Sequence, residues 1–362
     1  MRKLIAILLL ATGMPLAAQS QTLAEDTTAT LTTKPKKNLF VKARDALIKY
    51  LDYYDFDTAY IRPTQYKYTI MMQHSASFEH YAIKSVGEKA QKLSVSPNQS
   101  YKLGVYFGWH SLFLGLSVNT TDLFSKRHGS NKKTEYYFNL YGYKLGGDLF
   151  YKTSGNNFKI RDAEGFFDND KQYNFRNRDF NGIRVKKFGF NVYYVFNNNH
   201  FSYPAAYSQT TVQKISRGTL VAGLSWSRHN FEFDYRQLPT EIQDHMYDEL
   251  KFDQIRYTDF NVNFGYAFNW VFAVNWLAAV DLTPAIAYKI SHIKAENSLY
   301  NEDYHNFNFD FITRAGIVYN NNKFFAGASA VGHVYQYYQK NFSLIDNFGV
   351  VNFYVGFNFG PR

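Results

Sequence analysis

The chain of 362 residues has no cysteine, only 8 prolines and no long apolar run beyond its first residues. Without cysteine there can be no disulfide, no thiol chemistry, no thiolate metal site and no lipid-modified cysteine. A transmembrane helix needs about 18 or more consecutive apolar residues. The nearest stretch, residues 270–282, is interrupted by Asn275 and Asp281. Helical patterning is scarce too. Only residues 38–54 carry an apolar stripe at helical spacing, through Phe40, Ala43, Leu47, Leu51 and Tyr54. Walker, dinucleotide, Gly-x-Ser-x-Gly and His-Glu-x-x-His motifs are all missing.

Aromatic residues are abundant. There are 34 Phe and 31 Tyr, yet mean hydropathy is −0.39. A chain both aromatic-rich and hydrophilic on average suits a wall that hides apolar side chains at every second position. Residues 349–359 alternate in this way: Val351, Phe353, Val355, Phe357 and Phe359 on one face, Val350, Asn352, Tyr354, Gly356 and Asn358 on the other. Nearly every segment of the chain repeats the pattern, and little helix is available to cover a sheet. Lipid is the simplest cover for the aromatic face. The sequence therefore predicts an all-β fold, a transmembrane antiparallel β-barrel of about 12–14 strands with a short N-terminal periplasmic helix. The uncertain splits fall at Lys187/Phe188 and Tyr143/Leu145.

The ends of the chain complete this organisation. Arg2 and Lys3, the apolar run 4–10, Met14-Pro15 and the small residues Ala18 and Ser20 predict a cleaved signal peptide over 1–20. Residues 21–37 read as a disordered tether, 38–56 as an amphipathic helix and 57–362 as the barrel, in the outer membrane of a Gram-negative cell with the N-terminus periplasmic. The net charge of +10 then points to outer-membrane lipid and lipopolysaccharide phosphates rather than nucleic acid. The barrel-assembly machinery would be met during biogenesis.

Alternation assigns a mixed-charge lumen lining: Glu79, Lys102, Asp148, Lys152, Glu232, Asp234, Arg236, Asp259, Asp281, Lys289, Asp310 and Arg314. A tight turn is expected at 228–230, with Phe231, Phe233 and Tyr235 facing out. Pro284, inside a strand, suggests a bulge. Trp109, Trp226, Trp270 and Trp276 fall near expected strand ends, as a membrane-girdle set would. Ser and His come close at Ser329/His333, His200/Ser202 and His110-Ser111, but with no third residue to orient the His. Acids at Asp52, Asp55 and Asp57, and at Asp162, Glu164, Asp168 and Asp170, lack a calcium-loop pattern. No catalytic residue, metal site or cofactor is assigned.

Several stretches resemble one known family. They are Asp57-Thr58-Ala59-Tyr60-Ile61, Ser100-Tyr101-Lys102-Leu103-Gly104, Phe201-Ser202-Tyr203-Pro204-Ala205-Ala206, Asn263-Phe264-Gly265-Tyr266-Ala267-Phe268-Asn269-Trp270, Leu282-Thr283-Pro284-Ala285-Ile286-Ala287-Tyr288 and Tyr354-Val355-Gly356-Phe357-Asn358-Phe359. Together they resemble the Bacteroidota outer-membrane barrels grouped as domain of unknown function 4421, over roughly residues 55–359. The resemblance implies an outer-membrane location and brings no activity or site residues. From the residues alone, a channel for small solutes comes first. A non-conducting partner in an envelope complex is the alternative, and an interfacial lipid hydrolase the third.

Overall fold

The computed structural model describes residues 55–361, apart from 88, 110–111, 121–132, 155–156, 168–173 and 296–302. The expected signal peptide, tether and most of the amphipathic helix lie outside the described residues, as do His110-Ser111, Asp52, Asp168 and Asp170. Twelve wall strands are described: β2 (Tyr66–Ser85), β4 (Ser100–Trp109), β5 (Leu112–Asn119), β6 (Thr134–Tyr141), β7 (Leu145–Ser154), β10 (Ile183–Val195), β12 (Arg217–Phe233), β13 (Gln254–Ala273), β14 (Trp276–Lys294), β15 (Asp303–Asn320), β16 (Phe324–Tyr338) and β17 (Phe342–Pro361). All their ladders are antiparallel, running β5-β4-β2-β17-β16-β15-β14-β13-β12-β10-β7-β6. The last strand pairs with the first wall strand along most of its length, from Phe342↔Ser85 to Pro361↔Tyr66. Both ends of the wall therefore lie at one end of the barrel, the terminal end. The opposite end is the loop end. Between β5 and β6 there is no ladder among the described residues. On the inside, Lys102 of β4 reaches Glu135 of β6 at 3.2 Å.

Strict alternation builds the wall. Along β10, Ile183, Val185, Lys187, Gly189, Asn191, Tyr193 and Val195 are buried, while the intervening residues are exposed. The exposed faces form a belt. On β13 it runs from Phe260 to Phe272, and on β12 it ends at Trp226, followed outward by Arg228, Asn230 and Glu232. Thirteen residues at about 3.3 Å rise and about 45° tilt give a belt of about 30 Å, the thickness of a bilayer's hydrocarbon layer. Trp109, Trp270 and Trp276 sit at its terminal-end margin. Trp226, inside a strand, marks the other margin, against Phe188 and Phe190 with ring centroids 5.8 and 5.9 Å away.

The structure corrects several local expectations. β10 runs through Lys187/Phe188 without a break, and β12 runs through 228–230 with no turn. One strand in place of two keeps inside-outside parity, so Phe231 and Phe233 point inward. Around Pro284 the β13–β14 register is unchanged, Asn263↔Ala285 on one side and Tyr266↔Leu282 on the other. No bulge is needed there because Gly265 lets the backbones close up: a Cβ on it would lie 2.2 Å from the Leu282 carbonyl oxygen. The irregularity falls instead at Val271/Ala273.

Three further pieces complete the chain. β1 (Ile61–Pro63) pairs with β11 (Thr211–Gln213) at the terminal end. β3 (Lys92–Pro97) extends from β2 and carries β8 (Phe158–Glu164) and β9 (Asp179–Phe180) at the loop end. Two short helices, α1 (Tyr203–Tyr207) and α2 (Thr240–His245), lie in the connections at opposite ends.

Candidate functional site: the barrel lumen

The lumen is filled by its own side chains. Arg314 of β15 donates from Nη1 to Asp281 of β14 at 2.7 Å and from Nη2 to Asp148 of β7. Asp148 also accepts from the Asn191 amide at 3.1 Å, and the guanidinium lies 5.0 Å from the centre of the Tyr193 ring. Nearer the loop end, Lys289 donates to Asp259 at 2.7 Å and to Asp310 at 2.8 Å. Lys187 donates to Asp346 at 2.5 Å. Lys152 lies 3.0 Å from Glu79 and 2.9 Å from Glu135, and Lys133 joins the same two carboxylates at 3.0 and 3.1 Å. Arg314, Lys152, Lys187 and Lys289 are at most 1% exposed. Cations this dry persist only because each is matched by carboxylates and hydrogen bonds. A cavity lined by Tyr137, Asn139, Asp148, Phe150 and His333 has about 10 Å³, room for about one water.

Both ends are closed over this network. At the terminal end the connection between β10 and β12 folds inward as a plug. Its Pro204 sits in the first turn of α1, and the Ser202 hydroxyl caps the helix by accepting from the Ala205 N–H at 3.2 Å. The plug is tied to strands around the wall: Tyr203 donates to Asp281 at 2.8 Å, Asn269 to the Ser202 carbonyl at 2.9 Å and Gln209 to the Tyr354 hydroxyl at 2.9 Å. At the loop end, Tyr81, Phe158, Phe180, Phe231, Phe233 and Phe252 form the centre of a dry apolar cap, to which α2 adds Ile242.

Nine of the twelve residues expected to line the lumen face it and join these pairs. Glu79, Asp148, Lys152, Asp259, Asp281, Lys289, Asp310 and Arg314 are buried, and Lys102 is partly exposed. The other three do not line it. Glu232 lies on the outer face of β12, held by Asn230 at 3.1 Å. Asp234 and Arg236 pair with each other at 2.9 Å beyond the strand end. There the Gln237 amide, then Arg236, hold the Asp234 carboxyl below its ordinary pKa. The absent turn at 228–230 inverted the parity of this segment. Sequence reasoning missed Glu135, Lys187 and Asp346. Extending the even-numbered face of residues 350–358 back to Asp346 would have found one of them. Lys133 enters the lumen as well.

The Ser/His pairs have other roles. Ser202 Oγ caps α1 and bonds Thr211 Oγ1 at 2.7 Å. His200 bonds Asn197 at 3.1 Å and stacks edge-on to Tyr60. His333 is buried in the lumen against Phe348, ring centroids 5.0 Å apart.

Residues 55–359 match the family model described as Domain of unknown function (DUF4421). The chain belongs to this family. The DUF4421 match spans plug, wall and lumen charges together. No curated protein matches the chain. Among solved structures it is similar to the outer membrane protease OmpT from Escherichia coli, at 8% identity over 85% of this chain and 100% of that one, TM-score 0.35. It is also similar to the translocator domain of autotransporter NalP from Neisseria meningitidis (10%, 88% and 95%, 0.30) and to the outer membrane protein OprG from Pseudomonas aeruginosa (11%, 82% and 98%, 0.25).

Proposed function

We propose that this protein is a non-conducting barrel of the Gram-negative outer membrane, with its termini in the periplasm, that serves as a structural or assembly partner in an envelope complex. One observation carries the reading. Arg314 clamps Asp148 and Asp281 across the filled lumen, with the Tyr203 plug on one side of it and further charge pairs on the other. A hydrated solute path would require separating these pairs, whose mutual attraction is strong in low-dielectric surroundings. The belt of about 30 Å with tryptophans at both margins supports a bilayer setting. Apart from the plug, the connections at the terminal end are short turns, and most connections at the loop end are longer, which supports periplasmic termini. The mixed charges that suggested a channel serve here to hold the wall together, so the contacts that matter to function lie on the outer wall and at the two ends.

Planar-bilayer recording from the refolded mature chain, with and without residues 21–56, tests this. No stepwise current is expected from either form, in protein shown to be folded by its heat-modifiable gel mobility. Steady conductance from the full mature chain would overturn the reading and restore the solute channel.

A further inference from the structure

The outer wall carries a cluster of cations at the loop-end margin of the apolar belt. Arg228 of β12 lies opposite Phe188 of β10 and Thr258 of β13. One step further outward, Lys186 and Arg256 both stand opposite Asn230. Arg228 therefore has Lys186 and Arg256 as its two diagonal neighbours, each about 7–8 Å away along the sheet surface. Arg184 on β10 and Lys294 on β14 extend the cluster outward. All five are exposed, and none of them has an ion-pair partner among the described residues. Glu232, directly opposite Arg184 in the ladder, accepts from Asn230 at 3.1 Å. Like charges at this spacing repel unless something anionic lies between them.

Height on the wall identifies that anion. Arg228 follows Trp226 by two residues on the same face, so the cluster begins where the belt ends. Trp226, Phe188 and Phe260 mark the boundary level, and head groups begin directly above it. Arginine presents a planar fork that matches phosphate oxygens two at a time. We propose that Arg228, Lys186 and Arg256 form a site for the phosphate of a phosphorylated lipid head group, its acyl chains lying down the Phe188–Trp226–Phe260 face. The inference rests on the membrane reading above.

The test is lipid retention by the full mature chain in detergent, followed by native mass spectrometry with bisphosphorylated lipid A as probe. Wild type should retain the lipid and should not retain its enzymatically dephosphorylated form. Removing one head-group-level charge should weaken retention about fivefold, and Arg228→Gln/Lys186→Gln/Arg256→Gln about a hundredfold. Equal retention by the triple variant or of the dephosphorylated lipid would overturn the site. Displacement of the lipid by millimolar inorganic phosphate would also overturn it, by identifying a site for free phosphate. Insertion into liposomes, followed by gel mobility, is measured in parallel. Wild type that fails to insert would overturn the membrane reading, whereas insertion without selective retention would overturn the lipid site alone.

Discussion

Arg314 and Asp148 meet across the lumen although 166 residues separate them along the chain. With Asp281 they form a triad that joins β7 to β14 and β15 through the interior. Arg314→Ala would leave two buried carboxylates facing each other without a cation. The expected loss is about 3–5 kcal/mol, read as a lower urea midpoint of the gel-mobility transition. Adding Asp148→Asn and Asp281→Asn to that variant should recover part of it. A triple variant no more stable than the single one would show that the arginine acts by packing rather than charge.

The plug is attached to this triad through one hydroxyl. Tyr203→Phe removes the 2.8 Å bond to Asp281 while keeping the ring against Tyr193 and Tyr207. A hydrogen bond to a charged group contributes about 1.5–3 kcal/mol, so a loss in that range is expected. In a double-mutant cycle with Asp281→Asn the two effects should be non-additive. Additive effects would mean that plug and triad are energetically separate.

Gly349 on β17 lies beneath the ring of Phe78 on β2. A Cβ at Gly349 would lie 2.3 Å from the Val331 carbonyl oxygen and 2.6 Å from that ring. The carbonyl belongs to the ladder and cannot swing aside. Gly349→Ala is expected to destabilise the barrel by about 1–3 kcal/mol through overpacking, with a lower urea midpoint as the readout. An unchanged midpoint would mean that this seam is looser than the geometry indicates.

Two added charges probe the belt. Ala222 lies on the outer face of β12 opposite Phe264, near mid-belt. Ala222→Arg should cost about 2–4 kcal/mol at the bilayer midplane, and Thr258→Lys at the margin about 0–1. Refolding yield and urea midpoint in phospholipid vesicles measure both. Equal effects at the two depths would be inconsistent with a lipid-facing belt.

Much of this protein was legible in its sequence because a strand's side chains alternate with a period of 2. That period, read at Val351–Phe359 and Phe260–Phe268, gave the wall, its outward face and the inward position of Asp281, Lys289, Asp310 and Arg314. It failed where parity was lost. One imagined turn at 228–230 moved Glu232 inside and Phe231 outside. Tertiary structure alone decided whether the lumen was open. Alternation places charges inside a barrel but does not say which will meet, because partners such as Lys187 and Asp346 come from strands 159 residues apart. The plug was equally hidden, since a loop of Phe, Ser, Tyr and Pro has no period to read. Its inward fold depends on Asp281, Asn269 and Tyr354, which three different strands bring to it in space.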